Sequence, residues 1–246
     1  MKITNQEILN ATEHRPWPVP SGQWKYYQEW NNALFLHWEV ETSELQRFVP
    51  KELEIDLYEG KAWVSVVLFA MDNIRPRLLP AFPPISNFTE INVRTYVKNG
   101  HKAGVYFLSI EGSKRLSCKL AKAISGLPYR YSKMSSSKDT YTSKNKKQND
   151  NLSFEFKVGE TLSTKCELDV WLTERYALYQ DITRGLAQFE LHHLPWEISS
   201  VELSQFEFNY PRFKSLLLGF PPLVHYSRGV QVLAWDRTWV MHPKSI

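Results

Sequence analysis

Cysteine is almost missing from this chain, with two residues, Cys118 and Cys166, in 246. Neither belongs to a C-x-x-C pair or a Cys/His ligand spacing, which excludes a disulfide framework or a structural zinc as the organising device. Both lie in segments of apolar patterning, so buried, reduced thiols and a cytoplasmic protein are expected. Glycine is also scarce, at 10 residues, and no Gly-rich phosphate loop is present. The Gly-x-Ser-x-Gly elbow and the His-Glu-x-x-His helix are missing too. Nucleotide hydrolysis, α/β-hydrolase chemistry and zinc proteolysis are therefore set aside. No apolar run approaches the ~20 residues that span a bilayer, and the opening MKITNQEILNATEHRPWPVP has no apolar h-region, so neither secretion nor a membrane partner is expected. The charge imbalance is small, 30 basic against 26 acidic residues. Much of the lysine surplus sits between Lys138 and Lys147, so no nucleic-acid partner is expected either.

What the chain has in quantity is aromatic residues, 14% of the total, within a hydrophobic fraction of 43%. Short apolar runs bounded by Pro, Gly or Asn favour strands over long helices, and the length suits one mainly β (α+β) domain over residues 1–246. NNALFLHWEV (31–40) reads as a strand, followed by a short helix from about Ser43 to Phe48 capped by Thr42 or Ser43. LEIDLYEGKAWVSVVLFAM (53–71) reads as a hairpin turning at Gly60, and its second strand is apolar on both faces. The following RPRLLPAFPPIS suits neither a central strand nor a helix. FTEINVRTYV and GVYFLSIE flank Asn99-Gly100, a strong hairpin signal. RLSCKLAKAI (115–124) reads as an amphipathic helix with the stripe Leu116, Leu120, Ile124, a cap at Ser113 and a stop at Gly126. Residues 135–151 have one aromatic and no aliphatic residue and read as a polar, flexible loop. Leu168, Trp171 and Leu172 mark another helix, Arg212 to Leu218 a further one, and Gly229–Trp235 with Thr238–Met241 a final pair of strands.

Several residues are candidates for chemistry. Glu90, Asn92, Arg94 and Tyr96 share one strand face. That face is either the solvated side of an open sheet or, in a closed barrel, an inward row that sets Glu90 and Arg94 ~13 Å apart along the strand. His37, between Leu36 and Trp38, is a cavity residue or a hydrogen-bonded core histidine. His192 and His193 are adjacent on a strand and so point to opposite faces, which disfavours a shared metal ion, and no metal or cofactor is expected. Thr173-Glu174-Arg175-Tyr176 reads as a helix end whose ions pair with neighbours or brace a pocket from behind.

The motifs LFLHWEV (34–40), AWVSVVLF (62–69), FTEINVRTYV (88–97), GVYFLSIE (104–111), LTERYALY (172–179) and HHLPW (192–196) together resemble the YqjF-like family of uncharacterised bacterial proteins. That family lies in the acetoacetate decarboxylase-like superfamily. The resemblance implies a mostly antiparallel β cone or barrel with a central cavity and flanking helices, which favours the inward row. It also implies that Gly126-Leu127-Pro128-Tyr129-Arg130 stands where the decarboxylases carry Gly-x-Pro-Lys-Lys, one lysine forming a Schiff base and its neighbour lowering its pKa. Neither a phenol nor a guanidinium forms an imine, so decarboxylation by that route is not expected. The expected function is binding of a small anionic or carbonyl-bearing organic molecule. Arg94, Arg130, His37, Trp63 and Tyr96 are expected to line the site, and Glu90 and Tyr129 are the candidate catalytic pair for an imine-free lyase, isomerase or hydratase-type step. Tyr129 would donate to a carbonyl or, if Arg130 lowered its pKa, act as a base. The alternative is a non-enzymatic interaction protein with a packed core. Assembly into a homo-oligomer is compatible with either.

Overall fold

In the computed structural model, which describes residues 3–183 and 185–241, strands dominate and helices are few. In chain order, α1 spans Asn5–Asn10, β1 Tyr26–Val40, α2 Thr42–Leu45, β2 Glu54–Ile55, β3 Ala62–Pro76, α3 Pro83–Ser86, β4 Phe88–Asn99 and β5 Lys102–Gly112. Then come α4 at Arg115–Ser125, β6 Arg130–Tyr131, β7 Lys133–Ser136, β8 Thr140–Asn145, β9 Asp150–Thr161 and α5 Glu167–Thr173. β10 at Ala177–Ile182, β11 Gly185–His192, β12 Ser199–Asn209, β13 Leu223–Ala234 and β14 Thr238–Met241 complete the series.

Pairing of β11 with β13 (Leu191 opposite Ala234, His192 opposite Leu233) closes β13, β1, β3, β4, β5, β10 and β11 into a ring. Within it only β5 and β10 run parallel. From β13 the chain of pairings continues through β12, β9, β8 and β7. These strands pack on one face of the ring, where Tyr141, Leu152 and Phe154 join Leu34, Leu36, Val64, Val66, Ile91 and Val93 in one buried cluster. The opposite face buries Phe35, Val67 and Phe69 with Trp196, and Trp63 and Tyr96 with Leu172 of α5. A strand buried on both sides has to be apolar on both sides, as the alternation in β3 requires.

Several sequence expectations are corrected. Residues 53–71 are not one hairpin, because β2 pairs with β4 (Glu54 opposite Lys98) and only a Tyr58–Lys61 bridge flanks Gly60. Residues 135–151 are not a loop. Most of them build β7, β8 and the start of β9, and Tyr141, Ser143 and Asn145 alternate inward. The inward row there is mostly polar, so apolar alternation gave no signal. Arg212 to Leu218 forms only a single 3₁₀ turn at Pro211–Phe213. β13 and β14 are not partners: β14 pairs with β11. The Pro-rich segment does contribute a one-turn helix, α3, since proline is tolerated at the first helical positions. No side chain caps α2, and Ser113 accepts from the Thr89 amide instead of capping α4. The stripe Leu116, Leu120, Ile124 faces solvent, and α4 packs through Ser117 and Cys118. Cys166 is exposed, because it lies in the loop that leads into α5 rather than in a strand.

Closure of the ring depends on Gly104, where an added Cβ would lie 2.5 Å from the Ala177 carbonyl oxygen of β10. Gly104→Ala is expected to separate β5 from β10 and lower the unfolding free energy by ~2–3 kcal/mol. A shifted urea midpoint measures it.

Candidate functional site

Strand register assembles the site. In β1, β3 and β4, His37 lies opposite Ser65 and Ser65 opposite Arg94. Next to that row run Phe35, Val67 and Asn92, and then Phe69 beside Glu90. Directly opposed residues of an antiparallel pair share a face, so these side chains form one lattice. Glu90, Asn92, Arg94 and Tyr96 are all buried, so their polar row is not a solvated face; it is the face covered by α5 and Trp196.

Tyr129 reaches this face from the turn after α4. Gly126 stops the helix in the left-handed region (φ 80°), with its amide donating to the Lys122 carbonyl. Pro128 then leads the chain into β6, which pairs with the end of β5. The Tyr129 hydroxyl donates to Glu90 Oε2 at 2.6 Å, and Asn92 Nδ2 donates to Oε1 at 3.1 Å. Burial pushes the Glu90 carboxyl up to about 7 against the pull of both donors. Burial also raises the Tyr129 phenol well above its usual range, and the adjacent Glu90 charge adds to the effect. The condition for a base role, a phenol lowered by Arg130, is not met: the Tyr129 hydroxyl donates to Glu90, and burial pushes its pKa up.

Arg130 is placed elsewhere. Ser109 and Glu111 sit opposite Val93 and Ile91, on the other side of the sheet from Glu90, and Arg130 Nη2 donates to Ser109 Oγ and lies 3.8 Å from Glu111. Consecutive side chains of an extended segment diverge, so Tyr129 and Arg130 do not serve one pocket. Behind Arg130, Glu111 also accepts from Ser132, and burial followed by the Glu111 charge raises Asp150 to about 6 while Arg130 opposes the rise. Arg130 lines a surface cavity of about 430 Å³, which contains none of the other expected site residues.

A hydrogen-bonded chain crosses the inward face. His225 lies 3.0 Å from Asp169 of α5, His37 Nε2 is 3.2 Å from His225 Nδ1, His37 Nδ1 is 2.7 Å from Ser65 Oγ, and Ser65 is 2.6 Å from the Tyr96 hydroxyl. Burial lowers both histidines, with His225 and Arg94 adding to the effect at His37 and Asp169 opposing it at His225. The Tyr96 hydroxyl also donates to the Leu172 carbonyl at 3.0 Å, so the chain ends on an acceptor at each side, Leu172 at one and Asp169 at the other, and with neutral rings four protons serve its five contacts. His37 is thus both a core histidine and a member of a polar chain. Sequence reasoning missed Ser65, His225 and Asp169, whose only signal is that they meet after folding.

Arg94 has an unusual environment. It is buried, its Nη2 donates to the Leu172 carbonyl at 3.1 Å, and among the described residues no carboxylate lies within 4.0 Å. Its Nε has no hydrogen-bond partner, nor do the nearby Asn92 Oδ1 and Trp63 Nε1. Trp63 packs with Tyr96 and Leu172. Arg175, from the TERY segment, pairs with Asp56 at 2.6 Å and stacks on Trp171 and Tyr96, bracing Tyr96 from behind. His192 and His193 turn to the carbonyls of Ile8 and Leu194.

A carboxyl whose folded pKa is raised above its unfolded value binds protons preferentially in the folded state, so its ionisation destabilises the fold as pH rises. The wild type is therefore expected to lose on the order of 2–3 kcal/mol relative to Glu90→Gln between about pH 5 and pH 8, as Glu90 titrates near pH 7. Paired urea melts across that range test the sign.

Comparison with known proteins gives the family and the fold. The pattern of DUF2071, described as "Uncharacterized conserved protein", matches residues 27–231. "Uncharacterized protein YqjF" of Bacillus subtilis (strain 168) is 37% identical over 230 residues, covering 90% of this chain and 95% of its own. Among solved structures, acetoacetate decarboxylase from Legionella pneumophila superposes with a TM-score of 0.63 at 15% identity, covering 99% of both chains. The enduracididine biosynthesis enzyme MppR complexed with pyruvate gives 0.62 at 10% identity, over 92% of this chain and 94% of its own. At such identities the likeness is one of fold. The chain belongs to the DUF2071, YqjF-like family and is built on the acetoacetate decarboxylase-like fold.

Proposed function

We propose that the inward face binds a small carboxylate- or carbonyl-bearing organic molecule between Arg94 and Glu90, without forming an imine. The observation that carries this reading is the buried Arg94 guanidinium with no carboxylate partner among the described residues and a free Nε. A buried cation without a counter-ion is costly, and a planar carboxylate satisfies two guanidinium donors at once. The ligand takes the place of the Leu172 carbonyl on Nη2 and adds Nε, so binding loosens the end of α5 from Arg94. Trp63 and Tyr96 exclude water around the pair and strengthen it.

Chemistry, in this reading, falls to Glu90. With a pKa near neutrality it takes a proton from carbon next to a ligand carbonyl and returns it, while Tyr129 fixes its orientation. Lys133, Lys122 and Lys119, the amines nearest in sequence to the Tyr129-Arg130 pair, are all exposed, so in this reading none of them forms a Schiff base. A packed, ligand-free core is the competing reading, and one observation favours it: neither of the two cavities described, one at Arg130 and one beside Tyr27 and Arg75, includes Glu90.

A thermal-shift screen of small mono- and oxo-carboxylates separates these readings. At a ligand concentration ~100 times Kd the expected stabilisation is ~2.7 kcal/mol, a rise of several degrees in Tm. Arg94→Met is expected to abolish the shift while leaving the unliganded protein as stable or more so, since it removes an unpaired buried charge. A shift that survives in Arg94→Met, or no shift with any carboxylate, sinks the anchor. Borohydride treatment with the binding oxo acid should leave no lysine adduct, and deuterium exchange at the C–H carbon next to its keto carbonyl should disappear in Glu90→Gln.

A further inference from the structure

The cavity on the other side of the sheet has a different chemistry. Its lining includes Arg115, Arg130, Lys133, Lys144, Lys146 and Lys147, together with Tyr131, Asn145 and Gln148, and contains no carboxylate. These cations converge from the first turn of α4, from β6, from β7, from β8 and from the turn after β8. Among the described residues Arg130 has Glu111 at 3.8 Å and interacts with the Asp150 charge behind it, and no carboxylate lies within 4.0 Å of the other five cations. Lys133 and Lys144 are cross-strand partners in the β7–β8 ladder. Like charges placed directly opposite one another destabilise a sheet, so this pair works against the fold unless an anion lies between them. Tyr131 is stacked by Arg115 at 4.0 Å, which holds one cation against the wall. The turn is held as well, with Asn145 Oδ1 accepting from the Lys147 and Gln148 amides.

We propose that this cavity binds an oligophosphate group carried by a small molecule. Charge selects that class. A single carboxylate leaves most of the six cations uncompensated, whereas a di- or triphosphate presents three or four negative charges and many acceptor oxygens. Shape selects a small molecule over a nucleic acid, because the cations surround a volume of about 430 Å³ instead of tracking a strand path along the surface. Concave walls focus the field and reduce screening of the bound group. This site shares no side chain with the Arg94–Glu90 face, so the two proposals stand or fall separately.

Inorganic tripolyphosphate is the probe, titrated calorimetrically into the full chain at 50 and 200 mM salt. The expected result is binding that weakens steeply with salt, that acetate at the same concentration does not reproduce, and that drops about tenfold or more in Lys133→Gln/Lys144→Gln. Because the double variant removes a repulsive cross-strand pair, its Tm without ligand is expected to be unchanged or higher. Lys147→Gln, in the turn, is expected to weaken binding independently. The proposal is overturned by no binding at 50 mM salt, by equal affinity in the variants, or by a single-stranded 12-mer that binds more tightly than tripolyphosphate.

Discussion

The antiparallel register of β1, β3 and β4 is the constraint on which the rest depends. Each residue of β3 faces one neighbour on either side, and a slip of a single residue would send His37, Ser65 and Arg94 to the face occupied by Leu36, Val66 and Val93. The register is held because both faces of these strands are buried, one under β8 and β9 and the other under α5 and Trp196. Any slip would trade apolar side chains for charged ones on a dry surface, at a cost of several kcal/mol per buried charge. The same apolar packing that fixes the fold therefore fixes the polar row.

Within that frame the two faces divide the polar chemistry. On one, two histidines and Ser65 link Tyr96 to Asp169, and Glu90 is clamped by Tyr129 and Asn92 on the same strand face as a guanidinium with no carboxylate within 4.0 Å among the described residues. On the other, Arg130 belongs to Glu111, Ser109 and a strongly cationic cavity. Tyr129 and Arg130, adjacent in sequence, have thus been drawn apart. One neighbouring cation no longer tunes the other residue, and Tyr129 keeps its proton because burial and the Glu90 charge both disfavour a phenolate.

Much of the site was legible before folding, and the reason is periodicity. Glu90, Asn92, Arg94 and Tyr96 are spaced two apart beside an Asn-Gly turn, so their common face follows from strand geometry alone. Whether that face points in or out does not follow, because alternation is the same in an open sheet and a closed one. Ser65, His225 and Asp169 carried no such signal: they stand far apart in sequence on β3, β13 and α5, and only register makes them neighbours. The expected loop at 135–151 failed for a related reason. Its buried positions include Ser143 and Asn145, so an inward row exists without the apolar residues by which inward rows are recognised.

The sequence by itself determined that the chain is mainly β, that β4 and β5 form a hairpin, that α4 stops at Gly126, and that residues 129 and 130 offer a phenol and a guanidinium, neither of which forms an imine. These follow from local chemistry: side-chain period, the freedom of glycine at positive φ, and the reactivity of functional groups. Only the tertiary structure decided that β11 meets β13, that α4 turns its leucine stripe outward, that Arg94 is buried with no counter-ion among the described residues, and that Tyr129 and Arg130 serve opposite sides of the sheet. Those outcomes depend on which distant segments are brought together, and pairings between distant segments leave no mark on local periodicity.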